Sequence, residues 1–231
     1  MRLLSLIAVF AASAAWARSP GPDMEEAADT AVPVVDTGGA PCSDQWLRDG
    51  VQLPERPGLF VMVDPNASWG TETMIETILA AAQEMAWQMP DKDAILVGDI
   101  SWKHGGTFEG HRSHRGGIDA DLGIWDLQGQ GTTGFRDVAP NQLDAKATWT
   151  FIKAMLETGN VDRIYLDQSL INVLRRYARL QEGLTAEEVD RIFPPPGTPK
   201  VWSMTGVVQH VAGHRNHLHL RVLCDDGQQS Q

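Results

Sequence analysis

The longest amphipathic pattern in the chain covers residues 74–86, where Met, Ile, Leu and Ala recur at helical spacing. Thr73 and Glu76 have the spacing of a capping box and predict the start of this helix. Pro90 predicts its end, because proline cannot continue the helical hydrogen bonding. Three shorter helices are predicted at residues 148–156, 169–180 and 185–193.

Strand patterns lie between the predicted helices. Residues 118–125 alternate between apolar and polar positions, which predicts a strand with one buried face. The other predicted strands cover residues 94–100, 163–166 and 217–223. Short turns and one-sided strands favour antiparallel pairing. The sequence therefore predicts an α+β fold with a central, largely antiparallel sheet and flanking helices, rather than a doubly wound parallel sheet.

The N-terminus has the pattern of a secretory signal peptide. Arg2 precedes an uncharged apolar run, which ends at a small-residue cleavage pattern at residues 15–17. A retained membrane anchor is the alternative, but the run is shorter than the roughly 20 residues that span a bilayer. We therefore expect an exported, periplasmic protein. Its predicted segments are a signal peptide (1–17), a flexible leader (18–45), a folded domain (46–224) and a polar tail (225–231).

Charge and cysteine content narrow the function. The formal net charge is −11, which argues against nucleic acid and anionic membrane surfaces as partners. After residue 17, no stretch is long and apolar enough to predict integral membrane association. Cys42 and Cys224 are the two cysteines, and an oxidising compartment favours a disulfide between them. Free thiols, or Cys224 as a metal ligand, are the alternatives.

All seven histidines fall into two short windows of the sequence. Such clustering favours a shared site over scattered structural histidines. The first window contains His104, His111 and His114, and the second contains His210, His214, His217 and His219.

Strand alternation predicts which side chains of the second window share a face. His217 and His219 lie two residues apart and point to one face, with Leu218 and its apolar neighbours on the other. In the first window, Asp119 and Asp121 likewise share one face of the strand that follows His114. Two imidazoles and one carboxylate form a three-ligand zinc site with an open fourth position, which is typical of catalytic zinc. Spacing alone does not choose between Asp119 and Asp121.

Both windows together resemble the penicillin-insensitive murein endopeptidases. The similarity rests on Ile-Leu-Val-Gly-Asp at 95–99, His-Arg-Ser-His at 111–114, Asp-Ala-Asp at 119–121 and His-Arg-Asn-His-Leu-His at 214–219. These enzymes belong to a group of zinc peptidases that includes lysostaphin-type enzymes, D-alanyl-D-alanine carboxypeptidases and hedgehog domains. The group pattern is His, six residues, Asp and a distal His-x-His. His114 and Asp121 match it, so the resemblance selects Asp121.

The resemblance implies one Zn²⁺ per chain, held by His114, Asp121 and His219, with His217 as catalytic base. It also places His111 beside the metal, as an additional ligand or hydrogen-bond partner, and His214 near the attacking water or the oxyanion. The implied substrate is the cross-linked peptide of peptidoglycan. The implied reaction is hydrolysis of a D-alanyl–meso-diaminopimelyl type of cross-link.

Positive charge near the ligands offers contacts for the peptide stem. Arg112, Arg115 and Arg215 flank the histidines, and one of them is expected to bind a substrate carboxylate in bidentate fashion. The alternative is that these arginines are solvated or paired with nearby acidic residues. The glycine pairs at 105–106 and 116–117 are predicted to bring backbone close to the substrate. The alternative functions are a D,D-carboxypeptidase or dipeptidase that trims stem ends, and a zinc-binding module without turnover. A serine hydrolase is disfavoured, because Ser113 is not within a Gly-x-Ser-x-Gly motif.

Overall fold

The protein is described by a computed structural model over residues 46–129, 134–193, 195 and 206–224. Within these residues there are four α-helices: α1 (Glu72–Gln88), α2 (Ala145–Glu157), α3 (Gln168–Leu180) and α4 (Ala186–Ile192). The strands are β1 (Val51–Gln52), β2 (Phe60–Met62), β3 (Trp69–Gly70), β4 (Ile95–Val97), β5 (Asp119–Gly123), β6 (Val161–Leu166), β7 (Val208–His210) and β8 (His217–Val222). A 3₁₀-helix covers Pro65–Ala67.

The main sheet has six strands in the order β2-β4-β5-β8-β6-β7. Its four central strands pair antiparallel, whereas β2 pairs parallel with β4 and β7 pairs parallel with β6. The α+β class is confirmed, but the prediction of a largely antiparallel sheet is wrong, because the sheet is mixed. Parallel neighbours require a crossover. Helix α1 lies between β2 and β4 in the chain, and α3 and α4 lie between β6 and β7.

The apolar face of the sheet and the helices form one core. Leu218, Leu220 and Val222 of β8 are buried together with Ala120 and Leu122 of β5, as strand alternation predicts. Helices α1 and α2 pack against each other, and α2 also contacts α3. The opposite side chains of β5 and β8 are thereby held on a rigid support, free to form a polar site.

Side-chain caps set the helix starts. Helix α1 begins after Thr71, whose hydroxyl accepts a hydrogen bond from the amide of Met74 at 3.2 Å. The predicted capping box of Thr73 and Glu76 is therefore wrong. Thr73 lies inside the helix, and its carbonyl accepts a bond from Thr77.

The remaining predicted helices are present, with α2 starting earlier than its apolar pattern indicates. Asp144 caps α2 and Asp167 caps α3. Thr185 and Glu188 form a complete capping box at α4.

Several predictions concern the two ends of the chain, which lie outside the described residues. The predicted signal peptide (1–17), leader (18–45) and tail (225–231) lie outside them, as does Cys42. The disulfide between Cys42 and Cys224 therefore stays a prediction. Among the helices described, none has both the length and the apolar character needed to cross a membrane.

Candidate metal centre

The register between β5 and β8 creates the site. Asp121 lies directly opposite His219, Asp119 opposite Arg221, and Gly123 opposite His217. Because each strand alternates, these residues all project from the polar face of the sheet. The two predicted strand fragments thus meet in one antiparallel pair, which brings residues about a hundred positions apart into contact.

His114 reaches the same point from a loop. It adopts a left-handed backbone conformation, with φ of 47°, which is uncommon for a residue other than glycine. Its side chain is fully buried, and Nδ1 lies 3.1 Å from the carbonyl oxygen of Ile100. A carbonyl only accepts, so Nδ1 carries the hydrogen. In the neutral imidazole this leaves the Nε2 lone pair pointing into the site.

The glycines of this loop pack against the protein itself. A Cβ on Gly105 would lie 2.0 Å from the carbonyl oxygen of Arg115, and one on Gly117 would lie 2.9 Å from the Cα of Gly70. Both glycines also have positive φ, at 67° and 70°. Their role in the structure is to let the loop fold tightly behind His114, which differs from the predicted contact with substrate.

Three histidines converge on one carboxylate oxygen, Asp121 Oδ1. The distances to it are 3.0 Å from His219 Nδ1, 3.3 Å from His114 Nε2 and 3.4 Å from His217 Nε2. His111 approaches the other oxygen, with Nδ1 3.8 Å from Asp121 Oδ2. Its Nε2 lies 3.2 Å from Asp99 Oδ2, so Asp99 orients the ring.

These residues fit a metal ion. Among the residues that the structure describes, His114 Nε2 and Asp121 Oδ1 are buried without a hydrogen-bond partner. Two buried acceptors that face each other are unfavourable unless a cation lies between them. Potential ligand atoms of His111, His114 and Asp121 all lie within 4.8 Å of one another. Imidazole and carboxylate donors are the set that zinc and similar divalent ions prefer.

The electrostatics also favour a cation. Burial raises the pKa of Asp121, but the adjacent imidazoles of His114 and His219 outweigh this effect and lower the pKa far below its ordinary range. Burial lowers the pKa of His219, but the hydrogen bond to Asp119 and the nearby carboxylate of Asp121 outweigh this effect and raise it to about 9. The site thus holds positive charge on its side chains. A bound metal ion would take the place of this proton, because the same carboxylates stabilise both.

His217 differs from the ligand candidates in its surroundings. Its Nδ1 lies 2.7 Å from Asn216 Oδ1, an acceptor, so Nδ1 carries the hydrogen and the Nε2 lone pair faces the site. The ring of Phe135 packs at 5.2 Å and that of His214 at 4.8 Å between centroids. Burial lowers the pKa of His217 to about 4, since it outweighs the opposing charge of Asp121. The imidazole of His217 is therefore neutral at physiological pH.

An open cleft of about 440 Å³ gives access to these groups. Of the predicted substrate contacts, His214 and Arg112 line it. Arg215 instead pairs with Asp137 at 3.4 Å, and neither it nor Arg115 lies among the described residues that line the cleft. His104 is exposed, and His210 accepts a hydrogen bond from the amide of Gln168 at 2.9 Å, so these two histidines play no part in the site.

Sequence reasoning missed three residues that support the site: Asp99, Asn216 and Phe135. Asp99 lies within the predicted strand 94–100 and Asn216 directly precedes the predicted strand 217–223, but nothing in their spacing indicates which ring they contact. Phe135 lies in a loop outside every predicted element. Its position against His217 depends on the tertiary fold.

Comparison with known proteins identifies the family of the chain. A search of curated proteins finds no match. The family described as penicillin-insensitive murein endopeptidase matches residues 42–231, which includes both histidine windows and all described strands. The chain therefore belongs to the penicillin-insensitive murein endopeptidase family.

Proposed function

We propose that the protein is a zinc metallo-endopeptidase that hydrolyses D-alanyl–meso-diaminopimelyl cross-links in peptidoglycan. The family indicates a peptidase that acts on murein. The observation that carries the zinc assignment is the pair of buried, unpartnered atoms His114 Nε2 and Asp121 Oδ1, with His219 Nδ1 3.0 Å from the same oxygen.

His114, Asp121 and His219 would hold one Zn²⁺ per chain, with His111 as an additional ligand or orienting partner. When bound, the ion supplies Lewis-acid polarisation of the scissile carbonyl and makes water more acidic. The single carboxylate leaves the site with net positive charge, which favours the oxyanion that develops during peptide hydrolysis.

His217 acts as the general base. Its neutral Nε2 accepts a proton from the water that attacks the carbonyl carbon, and then delivers a proton to the amine that leaves when the C–N bond breaks. Asn216 holds the opposite ring nitrogen and so fixes the tautomer. Because His217 is on β8, two residues from His219, its position relative to the site needs no moving loop.

Substrate contacts are assigned to the cleft walls. His214, half-buried beside His217, orients the attacking water or the oxyanion, and Arg112 binds a carboxylate of the peptide stem. Arg115 and Arg215 are weaker candidates for this role, because neither is among the described residues that line the cleft and Arg215 already pairs with Asp137.

We also infer that the fold is that of the zinc peptidases related to lysostaphin, D-alanyl-D-alanine carboxypeptidases and hedgehog domains.

The site of action is the periplasm in this proposal. A family that acts on murein works outside the cytoplasmic membrane. The N-terminal pattern at residues 1–17 accounts for export by a cleaved signal peptide.

The test combines metal analysis with a defined substrate. The protein is purified after export, its metal content is measured by mass spectrometry, and it is incubated with a cross-linked muropeptide dimer. One zinc per chain and conversion of dimers to monomers are expected, with loss of activity after treatment with a chelator. Asp121→Ala is expected to lose both zinc and activity.

Two results would contradict the proposal. Full activity of metal-depleted protein would exclude zinc catalysis. Release of free D-alanine without dimer cleavage would instead identify a carboxypeptidase. Asp144→Asn serves as a matched control, since Asp144 is also a buried, paired aspartate, but it caps α2 and contacts Lys92.

A further inference from the structure

Asp119 is a buried carboxylate that the proposed reaction does not use. Only 1% of its surface is exposed. Its Oδ1 lies 2.9 Å from His219 Nε2, and Arg221 Nη1 lies 3.1 Å from Oδ1 and 3.0 Å from Oδ2. Both oxygens of Asp119 are therefore engaged by two residues of β8.

The two ring nitrogens of His219 face different carboxylates. Its Nε2 points to Asp119, while its Nδ1 points to Asp121 Oδ1 at 3.0 Å. A carboxylate accepts, so His219 donates through Nε2. In the neutral imidazole the remaining lone pair is then on Nδ1.

We propose that Asp119 is the positioning residue of the metal centre: it holds His219 in the tautomer that presents Nδ1 to the ion, and Arg221 holds Asp119. This inference rests on the proposed function only in taking His219 as a ligand. It assigns Asp119 a role different from that of Asp121, although the two lie on one face of β5.

The role of Arg221 follows from the cross-strand register. Arg221 lies directly opposite Asp119, and its Nε is 3.8 Å from Asp162 Oδ2 on β6. An ionised carboxylate is costly to bury unless it is paired and hydrogen-bonded, and Arg221 supplies both. The pair spans neighbouring strands of a rigid sheet, so it fixes the angle of the His219 ring as well as its tautomer.

A ligand role for Asp119 is the competing assignment. Against it, Asp119 Oδ1 faces the ring nitrogen that points away from Asp121, and both oxygens already accept from Arg221. Asp119 therefore lies behind His219 as seen from the cluster around Asp121. Partners of this kind raise the basicity of a metal-binding histidine, and their loss typically costs about 10- to 100-fold in metal affinity.

The experiment measures zinc affinity, not only activity. The full chain and its Asp119→Ala, Asp119→Asn and Asp121→Ala variants are titrated with Zn²⁺ in competition with a chromophoric chelator. Asp119→Ala is expected to raise the Kd by about 10- to 100-fold. Asp119→Asn keeps an acceptor oxygen of the same shape and is expected to recover part of that loss. Asp121→Ala is expected to abolish binding, and the Asp144→Asn control is expected to leave the Kd unchanged.

A spectroscopic readout separates positioning from a loss of structure. In zinc-loaded protein, long-range ¹H–¹⁵N spectra are expected to show His219 protonated at Nε2, with the signal assigned by its absence in His219→Asn. Asp119→Ala is expected to shift or broaden this signal and leave those of His210 unchanged. Where Asp119→Ala does not fold, the Asp119→Asn titration and spectrum carry the test.

The outcomes separate this inference from the proposed function. If Asp119→Ala and Asp119→Asn bind zinc as tightly as the wild type, or if His219 is protonated at Nδ1, the positioning role is wrong, whatever the enzyme cleaves. If the variants weaken zinc binding as expected but the wild type cleaves no muropeptide, the positioning role holds and the proposed activity fails.

Discussion

Replacement of Gly98 by alanine tests how closely the wall around His217 is packed. Gly98 is buried just after β4, and a Cβ built on it would lie 2.6 Å and 2.7 Å from two ring carbons of Phe135. That ring in turn packs against His217 at 5.2 Å. Because Gly98 has no Cβ, the ring of Phe135 can pack in this position against His217.

The size of the effect follows from these distances. Carbon atoms in contact prefer separations of about 3.5–4.0 Å, so the Phe135 ring must retreat by roughly 1 Å. Overpacking of a core typically costs about 1–3 kcal/mol, and we expect the lower limit here, because the atoms met are at the far end of a partly exposed side chain. The next nearest atom, the carbonyl oxygen of Asp121 at 3.3 Å, requires only a slight adjustment. Once the ring is removed, the substitution is expected to be neutral, or stabilising by about 0.4–1 kcal/mol, since alanine restricts the unfolded chain.

A double-mutant cycle, with unfolding in urea, tests whether the destabilisation by Gly98→Ala depends on the Phe135 ring. Gly98→Ala is expected to lower the free energy of unfolding by about 1 kcal/mol in the wild-type background. In the Phe135→Ala background it is expected to have no destabilising effect. Midpoints and slopes are compared for all four proteins. Equal destabilisation in both backgrounds, within about 0.5 kcal/mol, would refute the packing argument.

Three further predictions concern catalysis, capping and pH. His217→Ala is expected to lower kcat by about 10²- to 10⁴-fold with zinc content unchanged, while His210→Ala retains wild-type kcat in the same dimer-cleavage assay. Thr185→Ala is expected to cost about 1 kcal/mol, because the capping hydroxyl is lost, and Thr185→Ser is expected to retain the wild-type melting temperature. Burial raises the pKa of Asp167, but hydrogen bonds from Ser169 outweigh it and lower the pKa. The carboxylate therefore stabilises the fold above its unfolded pKa of about 3.9, and this contribution is lost as the pH falls through the lower folded value. Asp167→Asn is expected to narrow the difference in melting temperature between about pH 6 and about pH 3, and an unchanged difference would count against this linkage.

The fold could be predicted where the pattern is long. The four helices and the strands β5, β6 and β8 have enough residues to show a period. The strand β4 has only three residues and is predicted from its uninterrupted apolar run instead. The strands β2 and β7 have three residues each and show none, and these two form the parallel pairs that make the sheet mixed. A similar limit applies to the start of α1. Two threonines compete for the cap, and a long-range bond from the amide of Thr71 to the carbonyl of Gly117, at 2.9 Å, favours Thr71.

The choice between Asp119 and Asp121 shows why the site was only partly predictable. Alternation places both carboxylates on one face of β5, and it places His217, His219 and Arg221 on one face of β8. The local pattern therefore does not distinguish Asp119 from Asp121. What separates them is register. Moving β5 by two residues along β8 would preserve every face but set Asp119 opposite His219. Asp121 would then face His217, and the carboxylate beside Arg221 would be lost. Register is set by contacts between strands about a hundred residues apart, so it is not visible within either window. The spacing of His114 to Asp121 carries this information, because the buried loop that holds His114 on the carbonyl of Ile100 reaches only one of the two carboxylates.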